Sequence, residues 1–165
     1  MASDILIVDD EADIRELVAG ILQDEGHGTR TARDSDEALA AVVARQPNLV
    51  FLDIWLKGSR LDGLQLLDSL KQQHSELPIV MISGHGNIET AVSAIKRGAY
   101  DFIEKPFKAD RLLLVAERAL REFAAEARGA AVTPIADRAH ILEIDIGNLL
   151  TVAVAQDKAG VQFLD

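Results

Sequence analysis

DILIVDDEADIRELVAGILQ (residues 4–23) changes its apolar period partway along, and that change decides the fold. Residues 5–8 are an unbroken apolar run of strand length, whereas Ile14, Leu17, Val18, Ile21 and Leu22 recur at the spacing of one helix face. A strand followed directly by a helix is one half of a parallel crossover unit, and the rest of the chain repeats it. GTRTA (28–32) predicts a weak strand, and Asp34 with Glu37 resembles a capping box ahead of a helix carrying Leu39, Val42 and Val43, closed by Pro47. Residues 49–52 form a third strand, and Asp62-Gly63 opens a helix carrying Leu66, Leu67 and Leu70. PIVMI (78–82) is a fourth strand, GHGN a loop, and Ala91, Val92 and Ile95 mark a helix ended by Gly98. YDFI (100–103) is a fifth strand, and the amphipathic segment from Leu112 to Phe123 a last helix.

Regular alternation with short connections predicts parallel strands, right-handed crossovers and helices on both faces, an α/β doubly wound sheet. In the five-stranded order 2-1-3-4-5, ligands bind outside the carboxyl ends of the strands, where the order reverses between the first and third. At 165 residues the chain has room for one main domain and a small appendage. The reading divides it into a main domain over 1–126, a linker over 127–139 and a strand-rich tail over 140–165. The tail reads equally as a natural module, a truncation or an out-of-frame extension.

A formal charge of −10 argues against direct nucleic-acid binding, which needs a basic face. No apolar run approaches the length of a membrane span, and the acidic start, without a basic region, does not resemble a secretory signal, so a cytoplasmic protein is expected. The chain has no cysteine, which excludes disulfides and thiolate metal sites. The four histidines lack metal-ligand spacing, and the GHG glycines match neither a Walker nor a Rossmann loop.

What stands at the strand ends is distinctive: Asp9, Asp10 and Glu11 after the first, Asp53 ending the third, Ser83 the fourth, and Lys105-Pro106 after the fifth. Any one of these has a bland reading, as a helix-dipole acid, a loop serine or a solvated lysine. Carboxylates gathered at one edge repel one another and raise their pKa values unless a hard cation lies among them, and Mg2+ fits because it takes oxygen ligands and pairs with phosphate. Lys105 supplies further positive charge and Ser83 a donor for a phosphoryl group, and Asp53 can act as the nucleophile.

Taken in order, ILIVDDE, Asp53, Ser83-Gly84 and GAYDFIEKPF resemble the receiver domain of two-component response regulators, a CheY-like fold, over about residues 1–125. LDIWLKGSRLDGLQLL resembles its nitrogen-regulation branch, of NtrC and NtrX type. The resemblance implies that Asp53 accepts a phosphoryl group from the phosphohistidine of a sensor histidine kinase, NtrY-like if the NtrX likeness holds. It implies Mg2+ bound directly by Asp10 and Asp53, by Asp9 through water and by the Trp55 carbonyl, with Ser83 and Lys105 on the phosphoryl oxygens. It also implies a cis peptide before Pro106 and a switch formed by Ser83 and Phe102. That switch would move the face of the fourth helix, fifth strand and fifth helix, through which a homodimer would form.

The resemblance further implies a protein that catalyses its own phosphorylation and dephosphorylation without being a turnover enzyme. Trp55 and His85 stand two residues beyond Asp53 and Ser83 and would set the lifetime of the phosphate by obstructing water. Two features depart from the family pattern. LKGSRL (56–61) lengthens the loop after Asp53, to be ordered by a partner or metal, and Phe102 lacks the hydroxyl of the usual switch tyrosine. The alternatives are a Mg2+-dependent phosphatase or phosphotransferase acting on an external substrate, and a receiver-like binding module independent of phosphorylation.

Overall fold

The computed structural model describes residues 3–84 and 88–127. The tail over 140–165, the linker apart from Ala127, and His85 with most of the GHGN loop lie outside the described residues. The elements alternate without exception: β1 (Asp4–Val8), α1 (Ala12–Asp24), β2 (Gly28–Ala32), α2 (Ser35–Ala44), β3 (Leu49–Asp53), α3 (Gly63–Gln73), β4 (Ile79–Ser83), α4 (Ile88–Lys96), β5 (Asp101–Glu104) and α5 (Ala109–Ala127). The five strands form one parallel sheet in the order β2-β1-β3-β4-β5, as expected.

Strands buried on both faces are apolar at every position, and alternate side chains divide between the two helix layers. Leu6 and Val8 of β1, Val50 and Leu52 of β3, Met81 of β4 and Phe102 of β5 face the layer of α2, α3 and α4. Ile5, Ile7, Leu49, Phe51, Val80, Ile82 and Ile103 face the layer of α1 and α5. β2 lies at the sheet edge and is only partly buried, which explains its weak apolar signal. Arg30 holds this edge: its guanidinium donates to Asp4 at 2.7 and 3.0 Å and to the carbonyls of Ala41 and Arg45. Burial alone would raise the Asp4 pKa, but hydrogen bonds and charge from Arg30 and Arg45 bring it below the usual value.

Two helix faces differ from the sequence expectation. α1 buries Val18, Ala19 and Leu22 while Leu17 is 51% exposed, and α2 buries Ser35, Ala38 and Val42 while Val43 is 83% exposed. In α1 the buried stripe is centred on Val18, Ala19 and Leu22, with Ile14 and Ile21 packed at its edge. Leu17 then stands roughly 145° from the stripe's centre, at about 100° per residue. The α2 cap also differs in detail: Asp34 accepts from the Glu37 N–H, but Glu37 reaches back to the N–H of Arg33 rather than that of the cap residue. Asp62 and Gln65 do form a reciprocal capping box at the start of α3.

α4 stops where Gly98 adopts φ +103°, as the sequence indicates. Gly63 has a different task. A Cβ there would run into the Asp53 carbonyl oxygen and lie 2.6 Å from the Ile54 Cα, so α3 starts directly against the end of β3. Gly63→Ala is expected to cost about 1–3 kcal/mol in denaturant unfolding. Gly20→Ala, where α1 has open space, should instead stabilise by about 0.5–1 kcal/mol.

Candidate phosphoacceptor site

The sheet brings the strand-end residues together because all strands run the same way. α1 leaves β1 toward one face and α3 leaves β3 toward the other, so a crevice opens between those strand ends. Asp9 and Asp53 stand there 1% and 3% exposed, and Asp10 is partly buried beside them. One carboxylate oxygen from each of Asp9, Asp10 and Asp53 lies within 4.8 Å of the others.

Lys105 enters from the end of β5. Its ammonium lies 2.9 Å from Asp9 Oδ2, 3.5 Å from Asp53 Oδ2 and 3.7 Å from Glu11 Oε1, with only 13% of its side chain exposed. The Lys105 N–H donates to the Ser83 carbonyl at 2.8 Å, tying the ends of β4 and β5 together, and the Lys105-Pro106 peptide is cis, as expected. Ser83 is fully buried at the end of β4. Each key carboxylate also accepts a local backbone N–H: Asp9 Oδ1 from Glu11 at 2.8 Å, and Asp53 Oδ1 from Trp55 at 3.2 Å. These bonds fix one oxygen of each group and leave the other turned toward Lys105.

The electrostatics follow from this crowding. Burial pushes the Asp53 carboxyl up to about 7, with the negative charges of Asp9 and Asp10 adding to the rise and Lys105 and the Trp55 N–H opposing it. Burial alone would lower the Lys105 ammonium, but the Asp9 hydrogen bond and the charges of Asp53, Asp9 and Glu11 outweigh it, so its pKa is raised. A site in which buried Asp53 resists ionisation and three carboxylate oxygens converge fits a hard divalent cation in its donor set and charge.

Of the other residues singled out from sequence, Trp55 is 51% exposed just beyond Asp53, while Phe102 is fully buried in the layer of α2, α3 and α4. Glu11, expected with Asp9 and Asp10 at the end of the first strand, joins the carboxylates around Lys105. One feature went unforeseen. The lengthened loop 56–61 is held by α2 of the same chain through Ser35, a position with no local signal of a role.

The raised Asp53 pKa makes stability depend on pH. In the folded protein Asp53 keeps its proton up to about pH 7, whereas the unfolded chain releases it near 3.8, so between these values the folded state binds more protons and stability falls as pH rises. Without metal, Asp53→Asn is therefore expected to raise the Tm relative to the parent by roughly 5 °C at pH 8. The difference should shrink toward pH 4 in thermal unfolding followed by circular dichroism.

Residues 5–117 match the response regulator receiver domain family. The nitrogen assimilation regulatory protein NtrX of Azorhizobium caulinodans is 75% identical over 120 residues, which cover 73% of this chain and 26% of that protein. The chain thus spans about a quarter of the length of that relative. The crystal structure of the receiver domain of NtrX from Brucella abortus superposes with a TM-score of 0.70 at 80% identity, covering 72% of this chain and 98% of that one. The solution structure of the beryllofluoride-activated NtrC4 receiver domain dimer gives 0.69 at 37% identity, covering 73% and 98%. The carboxylate crevice thus lies in a receiver fold, and the chain belongs to the response regulator receiver domain family, as an NtrC/NtrX-like phosphoacceptor domain of two-component signalling.

Proposed function

We propose that Asp53 is the phosphoacceptor and that its donor is the phosphohistidine of a sensor histidine kinase, NtrY-like given the NtrX likeness. The observation that carries this is the placement of a buried Asp53 carboxylate between two further acids and a lysine at the end of β3. In the transfer, an Asp53 carboxylate oxygen attacks phosphorus as the bond from phosphorus to the imidazole nitrogen breaks. The imidazole keeps the electron pair, and an acyl phosphate forms on Asp53.

Mg2+ would be held by Asp10, Asp53 and the Trp55 carbonyl, with Asp9 through water, and it supplies the charge that keeps Asp53 ionised at neutral pH and offsets the phosphoryl oxygens. Lys105, already poised between Asp9 and Asp53, turns to a phosphoryl oxygen, and the Ser83 hydroxyl donates to another. The domain in this reading promotes its own phosphorylation and dephosphorylation and turns over no external substrate.

Phosphorylation then acts as a population shift between two packings, with Ser83 and Phe102 linking the site to the face of α4, β5 and α5. Phe102 lies wholly inside the core and has no hydroxyl, so its inward position rests on apolar burial alone. Homodimerisation is supported by the dimer of the similar activated NtrC4 receiver, and the face of α4, β5 and α5 is the surface proposed for it. The longer proteins that this chain resembles include a nitrogen assimilation regulatory protein and a DNA-binding transcriptional regulator, which supports control of transcription in nitrogen regulation as the output. With a net charge of −10, this chain would contribute regulation rather than grip on DNA. None of the described helices is long and apolar enough to cross a membrane, in keeping with a partner reached from the cytoplasm.

Intact-mass measurement after incubation with a small-molecule phosphodonor and Mg2+ tests the assignment. The parent should gain a single phosphoryl group and Asp53→Asn none, and an equal adduct on both would overturn it. Multiple turnover of a small phosphate ester would favour the phosphatase alternative. Trp55 and His85 are further proposed to shield the acyl phosphate from water. Trp55→Asn should then lose its phosphoryl group several times faster than the parent, and equal decay would remove Trp55 from that role.

A further inference from the structure

The loop that carries Trp55 is closed at both levels. Its neck is the Gly63 N–H donated to the Ile54 carbonyl at 2.9 Å, at the place where no side chain fits. Beyond the neck, Leu56 is buried at 6% exposure in the layer of α2, α3 and α4, and the Ser59 N–H turns back onto the Leu56 carbonyl at 3.3 Å.

The far side of the loop is fixed to the first residue of α2. Ser35 is fully buried; its N–H donates to Ser59 Oγ at 2.9 Å, and its own Oγ accepts from the Leu61 N–H at 3.1 Å. Each serine thus satisfies a backbone N–H of the other segment's first turn or loop. An exposed Arg60–Asp36 ion pair at 3.0 Å joins the same segments, but with both side chains more than 60% exposed it adds little.

We infer that Ser35 and Ser59 are positioning residues for the metal site, holding through the loop the Trp55 carbonyl that is its backbone ligand. This rests on the proposed function's assignment of that carbonyl. Trp55 is poorly placed to hold itself: its side chain is half exposed, and its N–H bond to Asp53 is a long 3.2 Å. Mg2+ demands near-ideal octahedral geometry, so a ligand on a loosened loop is a weakened ligand. The lengthened segment 56–61 is therefore ordered from within the chain, by α2, and the start of α2 becomes part of the site's support.

Trp55 is the chain's one tryptophan, so its emission reports the site directly, and calorimetric Mg2+ titration of the full chain gives a label-free measure. Ser59→Ala, which removes the acceptor for Ser35, is expected to weaken Mg2+ binding about tenfold, in line with loss of groups that orient a metal ligand. Ser59→Thr, which keeps the hydroxyl, should retain parent affinity, and so should Arg60→Ala. Thermal unfolding in EDTA checks that each variant is folded. If Ser59→Ala is too unstable to titrate, Ser59→Cys keeps the size with a far weaker acceptor and gives the same comparison. Affinity within twofold of the parent in the variant lacking the acceptor, or an equal loss in Ser59→Thr, overturns the inference. A parent that takes up no Mg2+ overturns the metal reading itself and the inference with it.

Discussion

One electrostatic constraint organises the crevice: Asp9 and Asp53 are removed from water within reach of each other, and Lys105 is the cation that lies between them. Desolvated like charges are costly, and a single ammonium 2.9 Å from one and 3.5 Å from the other offsets only part of that cost. The remainder appears as the high Asp53 pKa, a carboxylate held short of full ionisation near neutrality. Such a group is poised to gain from any added positive charge, which in the proposed function a divalent cation would bring.

The fold exists in a form that allows this tension. Because β3 and β4 run parallel and are covered on both faces, their interiors are apolar at every position, and their polar chemistry is confined to the carboxyl ends. Asp53 is held at the mouth of the crevice as the last residue of β3, in register with Ile82 of β4, and Gly63 lets α3 begin directly against that strand end. The Lys105 N–H bond to the Ser83 carbonyl does the same for the fifth strand, so the lysine arrives at a fixed height above the sheet. Stability is thus spent at the strand ends and recovered in the two apolar layers beneath them.

Much of this was legible in the sequence because it rests on local period and on chain order. Continuous apolar runs at 49–52 and 78–82 read as strands by length and type, and their alternation with helical periods pointed to a doubly wound sheet whose ends bear Asp9, Asp10, Asp53, Ser83 and Lys105. What was not legible depends on how elements meet. Leu17 and Val43 look like core by spacing, but the buried stripes run through Ala19 and Ala38 instead, a choice that period alone does not encode. The support of the 56–61 loop joins Ser35 to Ser59 across 24 residues, and neither serine carries a motif.

The central claim is that crowding at the end of β3 makes Asp53, and no neighbouring acid, the group that carries the phosphoryl. Borohydride reduces an acyl phosphate to an alcohol and so converts the acceptor aspartate to homoserine, which peptide mass mapping locates. After phosphorylation with Mg2+ and a small phosphodonor, homoserine is expected at position 53, with Asp9 and Asp10 intact. Homoserine at position 9 or 10, or its absence from a protein that has gained a phosphoryl group, would contradict the account.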